Sequence, residues 1–235
     1  MSLKLGIPSK GRLQDKTIEW FKDRGVVLQR TGSAREYSGQ VLGVENVELV
    51  LLSAGEIPKE LAAGRIHLGV TGTDLVEEKF GTGGDVIARV EPLGFGRADL
   101  VIAVPSFWVD VTNVDDLDAV AAKFRADHGF RLRIATKYHG LVRAFLSERG
   151  VADYQLVDSQ GATEGTVKNL TAEAVADITS TGDTLRANHL RILSDGLILR
   201  SEAEVFASRN ADWTGSAQAG WAALAEKCGW GNAPI

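Results

Sequence analysis

Residues 176–185 read Ala-Asp-Ile-Thr-Ser-Thr-Gly-Asp-Thr-Leu, an arrangement of types that can hold a phosphate. An apolar run ends in Asp177. Three hydroxyl residues follow within Thr179, Ser180 and Thr181, then Gly182, then Asp183 and Thr184 where a helix is expected to begin. A turn of this kind aims backbone N–H groups and hydroxyls at one point, at the positive end of a helix. It makes an anion cradle without a lysine. A carboxylate just ahead of it, Asp177, suits a ribose diol or a magnesium-bound sugar phosphate. The same residues also fit an ordinary strand-to-helix turn capped by Thr181 or Asp183. The P-loop pattern G-x-x-x-x-G-K-[ST] does not occur, which excludes that class of nucleotide site.

Other turns carry weaker signals of the same sort. Pro8-Ser9-Lys10-Gly11-Arg12 sets two cations around a glycine, as a pyrophosphate or nucleotide phosphate would need. Arginine supplies a planar fork for two oxygens, lysine a compact charge. In isolation Lys10-Gly11-Arg12 better fits a solvated basic turn, and Arg35 a surface charge. Gly69-Val70-Thr71-Gly72-Thr73-Asp74 repeats the strand-to-helix turn, so Thr71, Gly72 and Asp74 become candidates for a second phosphate or an adenine ring. A plain helix start accounts for them as well. Gly161–Gly165, with Glu164, reads as a ligand loop or a connection, and Gly81–Gly84 as a loop tip. The four histidines, His67, His128, His139 and His189, lack metal-site spacing, and lone Cys228 forms no internal disulfide. Cys228 is read as a partly buried thiol of a C-terminal helix.

The elements that must position these residues alternate in type. Residues 3–7, 47–52 and 67–71 read as strands, and 13–24, 57–63 and 73–80 as helices with apolar residues at helical spacing. The rhythm restarts after Pro105, with helices at 114–128 and 141–149 and strands at 132–135, 154–157 and 174–178. Short strands at 197–199 and 205–207 and a helix at 216–227 close the chain. Alternation of this kind predicts an α/β fold with mainly parallel sheets. Ligands of such sheets bind beyond the carboxyl ends of the strands, where the turns above lie. Two sets of βα units imply two lobes, 1–92 with 190–235 and 93–189, the second carrying the hydroxyl turn. Trp213, Trp221 and Trp230 are read as core, with docking as the alternative.

Composition narrows the class. The 235 residues are 44% hydrophobic and 24% charged, as in a soluble globular protein, and show no internal repeat. A net charge of −5 argues against nucleic acid as a partner. No apolar run is long enough to span a bilayer, and residues 1–8 lack the features of an export signal. The expected setting is cytoplasmic, with no membrane partner.

Taken in order, these segments resemble the ATP phosphoribosyltransferases. The likeness runs from about Leu3 to Ala207. It rests on Leu5-Gly6-Ile7-Pro8-Ser9-Lys10-Gly11-Arg12, Leu68 through Glu78, Leu93-Gly94-Phe95-Gly96, Arg133-Ile134-Ala135-Thr136-Lys137-Tyr138, and Asp177 through Asn188. The resemblance implies a two-lobed periplasmic-binding-protein-like fold with a central cleft. It also implies that ATP N1 and C1 of 5-phosphoribosyl 1-pyrophosphate are joined, with Mg²⁺ carried on the substrate, as the first step of histidine biosynthesis. Residues 179–184 then hold the 5′-phosphate, Asp177 sits near the ribose, and Arg12 and Arg35 lie near the pyrophosphate. Length matches the short form of the family, which joins a regulatory subunit resembling histidyl-tRNA synthetase in a hetero-oligomer. The chain departs from the family pattern at several places. The family's N-G-S-[VM]-E is Gln160 through Glu164 here, and its G-L-A-D entry is replaced by Leu170 through Asp177. Its A-N-G-L is Ala187-Asn188-His189-Leu190, and its Tyr-Pro is Tyr138-His139. A non-catalytic module binding a phosphorylated ligand on the same fold is the rival reading. A phosphoribosyltransferase for another base is disfavoured, since Asp177 has no adjacent acid.

Overall fold

A computed structural model describes residues 2–31, 38–81, 85–159, 161 and 163–232. Arg35, the tip of the Gly81–Gly84 loop, Gln160 and Ala162 lie outside the described residues. The first elements are β1 (Leu3–Pro8), α1 (Gly11–Lys22), β2 (Val27–Arg30), β3 (Ser38–Leu42), β4 (Val47–Leu52) and α2 (Ile57–Ala62). There follow β5 (Leu68–Gly72), α3 (Thr73–Phe80), β6 (Ile87–Pro92), β7 (Ala98–Pro105), α4 (Val114–His128), β8 (Leu132–Thr136) and α5 (His139–Glu148). The chain continues through β9 (Tyr154–Asp158), α6 (Gly165–Lys168), β10 (Ala174–Thr179), α7 (Asp183–Ala187), β11 (Leu190–Ser201), β12 (Ala203–Ser208) and α8 (Ser216–Cys228).

Two compact units result, Met1–Gly96 with Glu202–Ile235, and Arg97–Ser201. Each is a sheet with helices against it, the two-lobed periplasmic-binding-protein-like architecture expected. The expected return at residue 190 compares with Ser201–Glu202 here. β11 stays with the second unit because it pairs along β7 as far as Ser201 with Ala98.

The first unit orders its strands β2-β3-β4-β1-β5-β12-β6. β4, β1 and β5 run parallel, so their carboxyl ends, Leu52, Pro8 and Gly72, arrive side by side. Leu3, Leu5 and Ile7 of β1 are wholly buried, and α1 closes over them with Thr17, Trp20 and Phe21. At Gly69 an added Cβ would lie 2.5 Å from Ile57 Cγ2, so glycine lets α2 pack directly on β5. Trp213 and Trp221 are buried, and Trp230 stacks between Trp20 and Trp221 while its indole N–H donates to Glu91. These tryptophans therefore pack the C-terminal segment into the core. Cys228 ends α8 half-buried, its thiol pushed up to about 11 by burial.

The second unit orders its strands β11-β7-β10-β8-β9. β8 lies parallel to β9 and β10, while β7 runs antiparallel to β10 and β11. α4 opens on a reciprocal capping box between Asn113 and Asp116 and stops at Gly129, whose φ of +77° suits glycine. Both sheets are thus mixed rather than mainly parallel. The parallel stretches are confined to β4-β1-β5 and β10-β8-β9, and in each they gather the strand ends that bear the candidate turns. Among the described residues no helix is long and apolar enough to cross a membrane.

Candidate functional site

In the second unit the hydroxyl turn joins β10 to α7. Its shape is set from within. Thr179 Oγ1 accepts the Gly182 N–H at 2.9 Å, and Thr181 Oγ1 accepts the Asp183 N–H at 3.3 Å. Ser180 Oγ donates to the Arg97 carbonyl at 3.1 Å, tying the turn to the start of β7. Gly182 holds φ +75°, a left-handed bend that turns the chain into α7. The first intrahelical bond runs from Arg186 N–H to the Gly182 carbonyl, so the amides of Thr184 and Leu185 enter the first turn without helical partners. Thr184 is exposed, and its hydroxyl makes no contact with a described residue.

A carboxylate in such a turn would repel phosphate unless compensated. Asp183 is compensated twice. The Thr181 hydroxyl donates to its Oδ2 at 2.5 Å, and Arg186 Nη2 donates to its Oδ1 at 2.6 Å. Those two contacts, the hydroxyl's first, hold the Asp183 carboxyl below its ordinary range. Arg186 also donates to the Thr181 carbonyl at 2.9 Å, so its charge is committed to the turn itself.

Asp177 lies at the head of the turn, two residues before Thr179, with its side chain 13% exposed. Its Oδ1 accepts the Ile178 N–H at 2.9 Å and lies 3.4 Å from Lys137 Nζ, which comes from the end of β8. Lys137 was not among the residues singled out for chemistry. The signal that would have found it is spatial, the parallel pairing of β8 and β10. Beyond the end of β9, Ser159 donates its hydroxyl to Thr163 at 2.8 Å, and half-buried Glu164 stands at the cap of α6. His139 at the start of α5 lies 3.3 Å from Asp158 at the end of β9.

In the first unit the turns after β1, β4 and β5 form a second strand-end group. Ser9 N–H donates to the Leu52 carbonyl at 2.7 Å, which joins the turn after β1 to the end of β4. Lys10, Gly11 and Arg12 are exposed, and Gly11 holds φ +80°. Neither Lys10 nor Arg12 makes a side-chain hydrogen bond or ion pair with a described residue. Thr71 is different. It is wholly buried, and its hydroxyl donates to the Ala54 carbonyl at 2.9 Å, so it shapes the loop after β4. Gly72 precedes α3 in extended conformation, and Asp74 is buried in the first turn of that helix. Thr73 donates to the Glu202 carbonyl at 3.1 Å and to Glu204 Oε1 at 3.2 Å. Arg89 bridges Glu204 and Glu77 on the same side, at 3.0 and 2.5 Å.

Two departures from the family pattern have a geometric counterpart. Leu170 and His189, one in each of two segments that depart from that pattern, both hold φ +57°. Side chains occupy both left-handed bends.

The chain is also similar to known proteins in sequence and in fold. The chain matches the HisG family, ATP phosphoribosyltransferase, over residues 53–226. It is 68% identical to an ATP phosphoribosyltransferase of Cereibacter sphaeroides across 97% of each chain. It is 51% identical to one from Rhodopseudomonas palustris strain BisA53 over 89% of its own length, and spans 65% of that relative. Its fold is similar to a solved chain of the ATP phosphoribosyl transferase (HisG:HisZ) complex from Thermotoga maritima. That likeness has a TM-score of 0.67 and 23% identity and covers 88% and 87% of the two chains.

Proposed function

The chain belongs to the ATP phosphoribosyltransferase family, and from that premise we propose how its residues divide the work of joining ATP to phosphoribosyl pyrophosphate. The enzyme is a pentosyltransferase. It bonds ATP N1 to C1 of the sugar and releases pyrophosphate, the first step of histidine biosynthesis.

The turn Thr179–Thr184 takes the 5′-phosphate, and Asp177 accepts hydrogen bonds from the ribose hydroxyls. The observation that carries this assignment is the preorganised turn, in which Thr179 and Gly182 are bonded and the opening amides of α7 are left for a ligand. Glu164 completes this half from the loop after β9. Lys10, Gly11 and Arg12, with Arg35, take the pyrophosphate, while Gly72 and Asp74 border the nucleotide and Thr71 fixes the neighbouring loop.

The bond from C1 to pyrophosphate breaks as C1 gains oxocarbenium character, and negative charge grows on the leaving group. Guanidinium groups contribute most at that moment, because they interact more strongly with the departing pyrophosphate than with the bound substrate. ATP N1 carries a free lone pair and needs no strong base, so orientation and electrostatics supply the acceleration without a covalent enzyme intermediate. Among the described residues no three His, Cys, Asp or Glu side chains gather to hold a metal ion. Mg²⁺ carried on phosphate oxygens of the substrate would neutralise charge on the pyrophosphate.

A separate regulatory subunit resembling histidyl-tRNA synthetase completes a hetero-oligomer and conveys inhibition by histidine, with the whole assembly acting in the cytoplasm; the pairing in the HisG:HisZ complex of Thermotoga maritima supports this reading. Co-purification and inhibition assays with and without that subunit test this.

The central test is absorbance of the adduct when protein is mixed with ATP, phosphoribosyl pyrophosphate, Mg²⁺ and a pyrophosphatase. Arg12→Ala is expected to lower kcat by about 10²–10³, the loss seen when one donor to a developing charge is removed. Thr184→Val is expected to raise KM for phosphoribosyl pyrophosphate. Folded variants with unchanged constants would sink these residue assignments.

A further inference from the structure

We propose that Lys137 is a positioning residue for phosphoribosyl pyrophosphate, acting by holding the Asp177 carboxylate so that its second oxygen meets the ribose diol. The inference rests on the phosphoribosyl reading of the turn after β10 and deepens it.

The backbone around Lys137 is pinned while its side chain is not. Thr136, the last residue of β8, is wholly buried, and its hydroxyl accepts the Tyr138 N–H at 3.0 Å. The Thr136 carbonyl accepts the Ser159 N–H at 3.1 Å, and Tyr138 is buried to 2%. Lys137 is left between two buried neighbours with its side chain 46% exposed. The parallel register pairs Ile134 with Ala174 and Ala135 with Val175. Carried two residues further, it sets Lys137 beside Asp177 at adjacent strand ends.

Two other cations of this unit are committed elsewhere. Arg186 is bonded to Asp183 and the Thr181 carbonyl. Arg133, three strand positions behind Thr136 on β8, is bonded to both oxygens of Glu173. Among the described residues Lys137 is the cation that reaches Asp177, and it reaches one oxygen only. Oδ1 accepts the Ile178 N–H and faces the ammonium, while Oδ2 has no partner among the described residues. A carboxylate fixed at one oxygen presents the other in a defined direction, and a diol needs such an acceptor. The 3.4 Å separation is longer than a tight ion pair, so the ammonium orients Asp177 without withdrawing it from substrate. The contact Lys137 makes with the Tyr138 ring, 5.5 Å from its centroid, limits the ammonium's excursion.

The test measures phosphoribosyl pyrophosphate binding by calorimetry, with KM and kcat, for the wild type, K137M, K137R, D177N and K137M/D177N. K137M is expected to weaken binding of phosphoribosyl pyrophosphate by about tenfold, the order of one charge-assisted contact, and to leave KM for ATP unchanged. K137R should recover most of the loss, since it restores a cation without restoring the shape of lysine. The double variant should bind no more weakly than D177N, because a residue acting through Asp177 has nothing to orient once that carboxylate is gone. If D177N is strongly impaired and K137M is not, Lys137 has no such role. If the two losses multiply, Lys137 acts independently of Asp177 and the proposal is overturned. If D177N itself binds phosphoribosyl pyrophosphate as the wild type does, the phosphoribosyl reading of Asp177 has failed and takes the proposal with it. Thermal midpoints within the series separate these outcomes from unfolding, and an equal loss of affinity for both substrates counts against the proposal.

Discussion

Leu170 and His189 hold the same left-handed backbone, φ +57° at each, and line the same cavity of about 500 Å³ together with Phe107 and Trp108. Side chains in this region of φ cost of order 1–2 kcal/mol because Cβ crowds the carbonyl. Leu170 is 79% exposed, so its side chain gains little from burial in return. Leu170→Gly is therefore expected to stabilise the protein by about 1 kcal/mol, after allowance for the greater freedom of glycine in the unfolded chain. Leu170→Ala keeps the strain and should give no gain. Urea denaturation of the three proteins checks this, and an alanine variant as stable as the glycine one would refute the strain account.

The bond from Gly182 N–H to Thr179 Oγ1 leads to a functional prediction. An added Cβ at Gly182 would lie 2.8 Å from Arg186 Nη1 and would have to sit at φ +75°. Arg186 can move aside, but doing so breaks its pairing with Asp183 and leaves that carboxylate uncompensated in the turn. Gly182→Ala should raise KM for phosphoribosyl pyrophosphate by about tenfold, as one lost charge-assisted contact does, and leave KM for ATP unchanged. Steady-state kinetics with each substrate varied in turn decides it. Equal effects on both constants would place the damage in folding rather than in the turn.

Much of this was legible from residue order, for reasons that also explain what was not. β1, α1 and the hydroxyl turn each declare themselves within a dozen residues, through apolar period, a glycine and a run of hydroxyls. β7 is different: Ala98–Pro105 is nearly all apolar because both its neighbours are strands and six of its eight residues are buried. A run without period looks like a lobe boundary when only sequence is in view. β2 hid for the opposite reason, having one buried residue in four. The ends of β11 are separated by Ser194-Asp195-Gly196, where its pairing with β7 slips, so only its second half looked like a strand. Asp177 could be chosen because it adjoins the turn in sequence. Lys137 lies 40 residues earlier and becomes its neighbour only through the pairing of β8 with β10.

The trio of Arg89, Glu77 and Glu204 gives a stability prediction with a definite pH dependence. Both glutamate side chains are 8% exposed, and Arg89 is 54% exposed. Burial pushes the Glu204 carboxyl up, and Arg89 followed by the Thr73 hydroxyl opposes that. Arg89→Met leaves two buried carboxylates together. The expected cost is about 2 kcal/mol, below the usual figure for breaking a buried pair because the guanidinium is screened by solvent. A carboxyl raised in the folded state binds its proton more tightly there than in the unfolded chain. Its favourable contribution is present at low pH and fades as pH rises through the folded value. Without Arg89 the Glu204 carboxyl rises further, so the deficit should widen as pH rises above the ordinary glutamate value. Denaturation midpoints across that range would contradict this if the deficit stayed flat or grew toward acid.

His67 gives a prediction of the opposite sign. It is buried to 2% between the start of β1 and the segment before α8, with Trp213 edge-on at 5.3 Å. Its Nδ1 accepts the Lys4 N–H at 3.0 Å, which leaves the proton on Nε2 to be donated to the Asp212 carbonyl, also at 3.0 Å. Only the neutral ring satisfies both bonds, since a second proton on Nδ1 would point at an N–H donor. Burial pushes the His67 pKa below its ordinary value, outweighing the Asp212 carbonyl, which favours the charged form. The unfolded chain then binds a proton at higher pH than the folded one. The contribution of His67 to stability is complete above about pH 7 and is lost as pH falls past the ordinary histidine value toward the folded one. His67→Asn retains an acceptor for Lys4 but cannot titrate. It should be less stable at pH 7.5 by about 1–2 kcal/mol, for the lost ring packing and the bond to Asp212. As pH falls to 5.5 the wild type should lose stability faster than the variant, so the gap between them narrows. Parallel curves would mean that His67 enters the core with its charge unaffected by folding, contrary to a ring held neutral by Lys4 and Asp212.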